Sequence, residues 1–328
     1  MTTRRLLLGA ALGALPLAPR PLRAQAWPSR PIRIVVAWAP GGAVDTIARR
    51  LAPKLSEALG RPVVVENKSG ATGTIGAAEV ARAAPDGHTL LAMDNTYAML
   101  PHLFRALPFD HARAFAPVTV SAFSPVMLAV HRDAPWPDLA ALIAAARAAP
   151  ERITYGTGGI GSAPHFATAA FAEAAGLRLL HVPFRGAGEA VTNVLSRQVD
   201  LVMVSLGSAL GHVQGGALRV LAMSGAQRAA VLPAVPTFRE AGLRNFGPNG
   251  EGVVNWSGLA APAGTPEPVI NRLQAEVARA LAAEDMRAFL ASIASEPGGM
   301  PPAAFAALIA EETARWAAVA ASGGIERQ

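Results

Sequence analysis

Ala39-Pro40-Gly41-Gly42-Ala43-Val44-Asp45 joins a short β-branched run, Ile32-Arg33-Ile34-Val35-Val36-Ala37-Trp38, to a segment carrying Ile47, Leu51, Leu55 and Leu59. The first run reads as a buried strand and the second, with helical spacing, as an amphipathic helix. Glycines between them let the backbone approach whatever occupies the turn. The free N–H groups of a helix start and the positive end of its dipole suit an anion. The pattern recurs at Tyr155-Gly156-Thr157-Gly158-Gly159-Ile160-Gly161-Ser162. Two such turns predict a small carboxylate held between them.

Outward from the first turn, strand and helix patterns alternate. The strand 32–38 is followed by a helix over 45–59, stopped by Gly60 and bent at Pro53, then a strand at 62–66, a helix at 75–83 and a strand at 89–93. Asp94, Asn95 and Thr96 follow that strand, at the sheet edge where open α/β proteins bind ligands. From Pro125 the pattern restarts, with strands at 126–131, 153–155, 179–182, 201–204 and 219–223 between helices at 138–149, 162–175, 189–197 and 208–214. Ser162 as cap, Pro164 in the first turn and Gly176 past the end punctuate the helix that leaves the second turn. A short helix at 238–241, a strand at 256–261 and helices at 266–283, 288–295 and 302–320 close the chain. The fold class is therefore α/β, with mostly parallel sheets flanked by helices. One strand and three helices make a poor third domain. The chain divides instead into one lobe of 27–122 plus 227–328 and an inserted lobe of 123–226, joined by two crossovers near 121–123 and 224–226.

The chain has 328 residues, 52% of them hydrophobic and 16% charged, enough for two cores and too apolar for disorder. Removing Arg4, Arg5, Arg20 and Arg23 with a cleaved leader takes the net charge from +6 to +2. No basic cluster or aromatic row accompanies that balance, so a nucleic-acid partner is not expected. Cysteine is absent, which excludes disulfides and thiolate chemistry. Thr3-Arg4-Arg5, the apolar run Leu6–Leu17 and Ala24-Gln25-Ala26 form the three parts of a secretory signal over 1–26. Its apolar run falls well short of the ~20 residues that cross a bilayer. The paired arginines fit a general or a twin-arginine export signal alike. The periplasm is the expected destination.

Pro31-Ile32-Arg33-Ile34-Val35-Val36, Ala39-Pro40-Gly41-Gly42 with Asp45, Val63-Val64-Val65-Glu66-Asn67, Ala84-Pro85-Asp86-Gly87, Phe115-Ala116-Pro117-Val118, His181-Val182-Pro183-Phe184-Arg185-Gly186 and Ala260-Ala261-Pro262-Ala263-Gly264-Thr265-Pro266 stand in an order that resembles one family. It is the Bug receptors, extracytoplasmic solute-binding proteins of the tripartite tricarboxylate transporter class. The resemblance implies a two-lobed, hinged periplasmic binding protein of type II, a monomer whose glycine turns grip carboxylates partly through ordered water. A membrane permease of that transporter class, or a sensor, would be its partner. The sequence departs from the family at Ala43, where a third glycine is usual, and at Phe184, where a tyrosine is usual. Asp200–Leu206, which includes Ser205, lacks an Asp-Asn pair, and Asn245–Gly252 is longer than usual.

The candidate ligand-binding residues are Pro40, Gly41, Gly42, Ala43, Asp45, Asn95, Thr96, Thr157, Gly158, Gly161, Ser162, His165, Phe184, Arg185 and Ser205. Thr157 and Ser162 are read as hydroxyl donors and Arg185 as a cationic partner or a solvated surface group. Asp45 is read as the N-cap of its helix, or as a contact to an amine, hydroxyl or water of the ligand. Trp38 and Trp256 fit a cleft wall or a core. A second reading is an exported enzyme. Gly156-x-Gly158-x-x-Gly161 matches the dinucleotide fingerprint, but His181–Arg185, about 20 residues on, has no ribose-binding acid, leaving only an NADP site with Arg185 on the 2′-phosphate. Ser162 and His165 suggest a hydrolase, yet no Gly-x-Ser-x-Gly occurs and His165 also fits a packing or capping role. The seven histidines are scattered, so neither metal nor cofactor is expected.

Overall fold

The computed structural model describes residues 27–246, 252–322 and 327. The leader over 1–26 and the centre of the 245–252 stretch lie outside these residues. The chain begins β1 (Ile32–Val36), α1 (Ala43–Leu59), β2 (Val63–Asn67), α2 (Thr74–Ala81), β3 (Thr89–Asp94) and α3 (Thr96–Leu103). A long strand, β4 (Phe115–His131), leads to α4 (Leu139–Ala148), β5 (Thr154–Thr157), α5 (Ala163–Ala175), β6 (Leu180–Pro183) and α6 (Ala187–Leu195). Then come β7 (Leu201–Ser205), α7 (Leu210–Gln214), β8 (Leu218–Met223), β9 (Val254–Pro262), α8 (Glu267–Ala282), α9 (Glu284–Ser292), β10 (Glu296–Pro297) and α10 (Pro302–Ser322).

The strands join in the order β2-β1-β3-β9-β4-β7-β5-β6, with β10 and β8 also paired to β4. The outer ladders are parallel: β1 with β2 and β3, and β5 with β6 and β7. Every ladder of β4 is antiparallel, as is β3 with β9, so the sheet is mixed where the sequence predicted mostly parallel sheets. β9 comes from far along the chain to lie between β3 and β4 and runs against both, and β4 in turn runs against β7 and β8.

β4 changes partner along its length. Phe115–Pro125 pairs with β9, and Val126–His131 with β7 and β8. The exchange falls at Pro125–Val126, a few residues beyond the predicted crossover at 121–123. Val126 N–H donates to Ser224 Oγ at 2.8 Å and its carbonyl accepts from Ser224 N–H, also at 2.8 Å. The change of partner thus lies against Ser224, in the second of the two predicted crossover regions. Sequence reading began the strand only at 126 because Pro117 and Pro125 interrupt it; register shifts between Pro117 and Thr119 and between Val120 and Ala122 absorb the irregularity.

Two further readings are corrected. Phe238–Ala241 is a single turn rather than a helix. Thr237 and Glu240 cap it reciprocally, and Gly242 at φ +94° ends it at once. Conversely, α3 forms where no helix was predicted, because Pro101 within it and its nearly all-round burial hide the amphipathic period. The punctuation of α5 stands as read, with Ser162 before it, Pro164 in its first turn and Gly176 at φ +64° after it.

Burial follows the strand alternation. Ile32, Ile34 and Val36 pack with Ile47, Leu51 and Leu55 of α1 and with α8 and α9. On the other face, Val35, Leu91 and Met93 join a cluster that runs on to Phe166 and Phe171 of α5 and to Phe305 and Trp316 of α10. Phe305 is fully buried and meets Trp256 edge-on, with ring centroids 5.1 Å apart. Phe305→Ala is expected to cost about 3–5 kcal/mol, the usual range for emptying a buried aromatic site. Urea unfolding checks it; a loss under about 1 kcal/mol would mean that the surroundings collapse onto the void.

Candidate functional site

A cavity of about 60 Å³ lies where the C-terminal ends of β3 and β7 and the turns after β1 and β5 face the starts of α1, α5 and α6. Asn255, Trp256 and Ser257 of β9 close it from the sheet. At ~10–15 Å³ for each water, it holds roughly four to six waters, the space of a small organic molecule.

The first turn supplies Gly42, Ala43 and Val44 to the wall. Gly41 sits at φ +89°, a conformation natural to glycine, and Gly42 is the N-cap of α1. Asp45 is therefore the third residue of the helix rather than its cap, because the helix starts at Ala43. Its buried carboxylate accepts from Gly41 N–H at 3.0 Å, Arg49 Nε at 3.0 Å and Asn67 Nδ2 at 2.9 Å. Burial pushes its pKa up, but Arg49, Gly41 and Asn67 together outweigh that and hold it below the ordinary value. Ala43 N–H donates to Ser208 Oγ at 3.2 Å, across the cavity. Val44 N–H, in the first turn, has no acceptor within its own helix.

The second turn is fixed from behind. His165, His181 and Tyr155 stack, the two imidazoles 4.0 Å apart and nearly parallel. His165 Nδ1 accepts Gly161 N–H at 2.9 Å, so the ring is neutral with its proton on Nε2. Thr157 Oγ1 lies 2.6 Å from His181 Nε2 and accepts Gly159 N–H at 3.2 Å. Burial lowers the His165 pKa to about 3, with His181 adding repulsion, and burial lowers that of His181 to about 4. Gly161 lies at φ +73°, and a Cβ there would come 2.1 Å from Leu103 Cδ1, so α3 and the second turn interlock. Ala163 N–H donates to Thr96 Oγ1 at 2.8 Å and Thr72 Oγ1 to the Ile160 carbonyl at 2.7 Å, again across the cleft.

Three lining residues, Ser162, Trp256 and Ser257, carry buried polar atoms without a hydrogen-bond partner: Ser162 Oγ, Trp256 Nε1 and Ser257 Oγ. No lysine, arginine or histidine lines the cavity, and its one ionisable side chain is Asp94. Desolvation raises the Asp94 pKa to about 6, against hydrogen bonds from the Thr96 hydroxyl and N–H and from Trp38. Thr96 N–H lies 3.0 Å from Asp94 Oδ1.

Of the residues nominated from sequence, Gly42, Ala43, Gly158, Ser162 and Ser205 line this cavity. Asp45, Asn95, Thr96, Thr157, Gly161 and His165 stand behind it, occupied with the bonds that shape the two turns; Asn95 Nδ2 holds Asn255 Oδ1 at 3.2 Å. Pro40 and Gly41 are exposed at the mouth, where Pro40 packs on the α6 start beside Gly188. Phe184 packs behind β5 against Gly156, and Arg185 is exposed outside the lining. Sequence reasoning placed Asp94 at the binding edge without nominating it, and missed Ser124, Ala187, Ser208, Asn255 and Ser257. Asp94 carried a signal, as the polar residue that ends the apolar run Thr89–Met93. Trp38 and Trp256 both belong to the cavity wall and are both at least nine-tenths buried.

Residues 47–325 match the family described as the tripartite tricarboxylate transporter family receptor. The protein BugT of Bordetella pertussis is 32% identical over 306 residues, covering 93% of this chain and 92% of BugT. Among solved structures, an R. palustris protein with adipate aligns at a TM-score of 0.87 and 32% identity, over 92% of this chain and all (100%) of that one. MatC from Rhodopseudomonas palustris with bound malate aligns at 0.83 and 33% identity, over 90% of this chain and 100% of MatC.

The histidine stack has a consequence in acid. Both folded pKa values lie below the ordinary histidine value of 6.5, so the unfolded chain takes up protons between pH 6.5 and about 4 that the folded chain refuses. Their contribution is whole above that window and is lost as pH falls through it. Asp94, raised from 3.8 to about 6, works in the opposite sense over the same range. Two groups against one leave the histidine sign. The melting temperature is expected to fall from about pH 7 to about pH 5, and His181→Gln to flatten that slope. A temperature that rises on acidification would show that the stack does not govern the titration.

Proposed function

The chain belongs to the tripartite tricarboxylate transporter family of receptors, periplasmic solute-binding proteins rather than enzymes, and on that premise we propose that it captures a small carboxylate. The solute sits in the cavity between the two turns and passes, chemically unchanged, to a membrane permease of the tripartite class or to a sensor. The receptor works as a monomer of two lobes, 27–122 plus 227–328 and 123–226, hinged where β4 changes partner.

The observation that carries this reading is the set of orphaned polar atoms on the cavity wall. A buried hydroxyl or indole N–H without a partner costs about 1–3 kcal/mol. An indole nitrogen can only donate, and the two serine hydroxyls are free to do so. Ser162 Oγ, Ser257 Oγ and Trp256 Nε1, with the main-chain N–H groups at the start of α1, thus favour a ligand rich in acceptors. A carboxylate meets that description, and adipate and malate occupy the two related structures. Neutral donors fixed by the fold are preorganised, so little reorganisation is needed on binding.

The dinucleotide alternative finds no counterpart here, since Gly158 lies close against the start of α6 and Arg185 stays outside the cavity. A thermal-shift panel of mono-, di- and tricarboxylates and amino acids identifies the most stabilising acid, and calorimetry gives its affinity. Ser162→Ala is expected to weaken that affinity roughly 10- to 100-fold, the worth of one hydrogen bond to a charged group, with the melting temperature little changed. Asp45→Ala, by contrast, is expected to lower stability by about 1–3 kcal/mol. Unaltered affinity in Ser162→Ala would remove that hydroxyl from the site, and consumption of the acid would overturn the receptor reading.

A further inference from the structure

Asp94 is anomalous in a site for anions. It ends β3 at the wall of the cavity, half-buried, with no ion pair to any lysine, arginine or histidine among the described residues. The other lining side chains are neutral, so nothing on the wall compensates its charge. An uncompensated carboxylate taken out of water costs several kcal/mol, and a second carboxylate brought beside it adds repulsion. Across the cavity stand the starts of α1, α5 and α6, whose dipoles favour negative charge. The cavity is therefore polarised, with an anion-attracting side and a cation-attracting side, and this polarity goes beyond what an acceptor-rich ligand alone requires.

We propose that Asp94 is a specificity residue that pairs with the ammonium group of an amine-bearing carboxylic acid, whose carboxylate rests at the starts of α1 and α5. This rests on the carboxylate reading above and narrows it to zwitterionic acids. The desolvated state of Asp94 agrees with it, since a ligand cation restores the charge balance that burial has removed. Asp94 has a structural duty too: Oδ1 accepts Thr96 N–H at 3.0 Å, in the turn that opens α3. Asparagine keeps the bond from Thr96 N–H through its own side-chain oxygen and lacks the charge, giving up only its second oxygen as an acceptor for the Thr96 hydroxyl or Trp38. Asp94→Asn thus separates the two roles.

The experiment uses matched probe pairs that differ by one amine: aspartate with succinate, glutamate with glutarate, and phenylalanine with 3-phenylpropionate. Binding is measured by thermal shift and calorimetry at about pH 8, where Asp94 is ionised. In every pair that responds, the wild-type protein is expected to bind the amine-bearing acid at least tenfold more tightly. Asp94→Asn is expected to melt no lower than the wild type, since it removes a desolvated charge, to lose at least tenfold in affinity for that acid, and to bind the amine-free partner more tightly than the wild type does. Equal or better wild-type binding of the amine-free acids overturns the role of Asp94 and leaves the carboxylate receptor standing. An amine preference unchanged in Asp94→Asn overturns it as well. Silence of the whole panel, the amine-free acids included, counts against both readings.

Discussion

Strand β4 is the element on which the rest of the arrangement depends. A strand can pair on only two sides, yet β4 serves β9 and β10 along one part and β7 and β8 along the other. It therefore holds two sets of parallel strands in one sheet and fixes where their C-terminal ends and following turns come together. The ends of β3 and β7 and the turns after β1 and β5 all reach the cavity, and Ser124, beside the change of partner, lines it. Ser124 Oγ is tied to Ser295 Oγ at 2.8 Å and Val126 to Ser224 at the same distance. The site is thus a product of topology before it is a product of side chains.

The chemistry of the cavity follows from that placement. Helix starts at α1, α5 and α6 bring partial positive charge without bringing cations. A lysine or arginine would need to shed its water before gripping an anion, whereas main-chain N–H groups are already desolvated and aimed. The protein itself uses several of these amides: Asp45 takes Gly41 N–H, Ser208 takes Ala43 N–H, His165 takes Gly161 N–H and Thr96 takes Ala163 N–H. Each such bond stiffens a turn at the expense of one potential donor. What remains for a ligand is a small set, dominated by Ser162, Ser257 and Trp256, and that economy sharpens the demand on ligand shape.

Much of this was legible in the sequence, for identifiable reasons. The run Ile32–Val36 and the glycines after it fix their own conformation locally, and so do the cap, proline and glycine around α5. The blocks that resemble the Bug receptors reached the correct family, as the match over residues 47–325 bears out. Tertiary facts were not legible. β4 hides behind Pro117 and Pro125, and α3 behind Pro101. Thr157 and His165 occupy the right turn, but His181, from the next strand, draws Thr157 away from the cavity, and Gly161 engages His165. Asn255, Trp256 and Ser257 come from a strand about a hundred residues after the second turn, and only their pairing with β3 and β4 brings them under the cavity.

The bonds that close the cavity bear on how a receptor of this design works. Thr72 to Ile160, Thr96 to Ala163 and Ala43 to Ser208 join parts of the chain on opposite sides of the β4 exchange. Three such bonds at a net ~0.5–1.5 kcal/mol each hold the cleft shut by only a few kcal/mol. Beneath them, Phe166 of α5 meets Trp316 of α10 edge-on at 5.4 Å, so the apolar core is continuous under the cleft. Separation at the cavity then exposes apolar surface as well as breaking polar bonds, which favours the shut form further. A ligand shifts such an equilibrium only by its differential affinity for the two forms. Donors contributed from both sides of the exchange, Ser162 on one and Ser257 on the other, line the same cavity, so any separation of the two sides would part them. The orphaned atoms that disfavour the empty cavity are therefore the ones that reward its occupation, and the same geometry sets both the cost of closing unoccupied and the gain on closing around a solute.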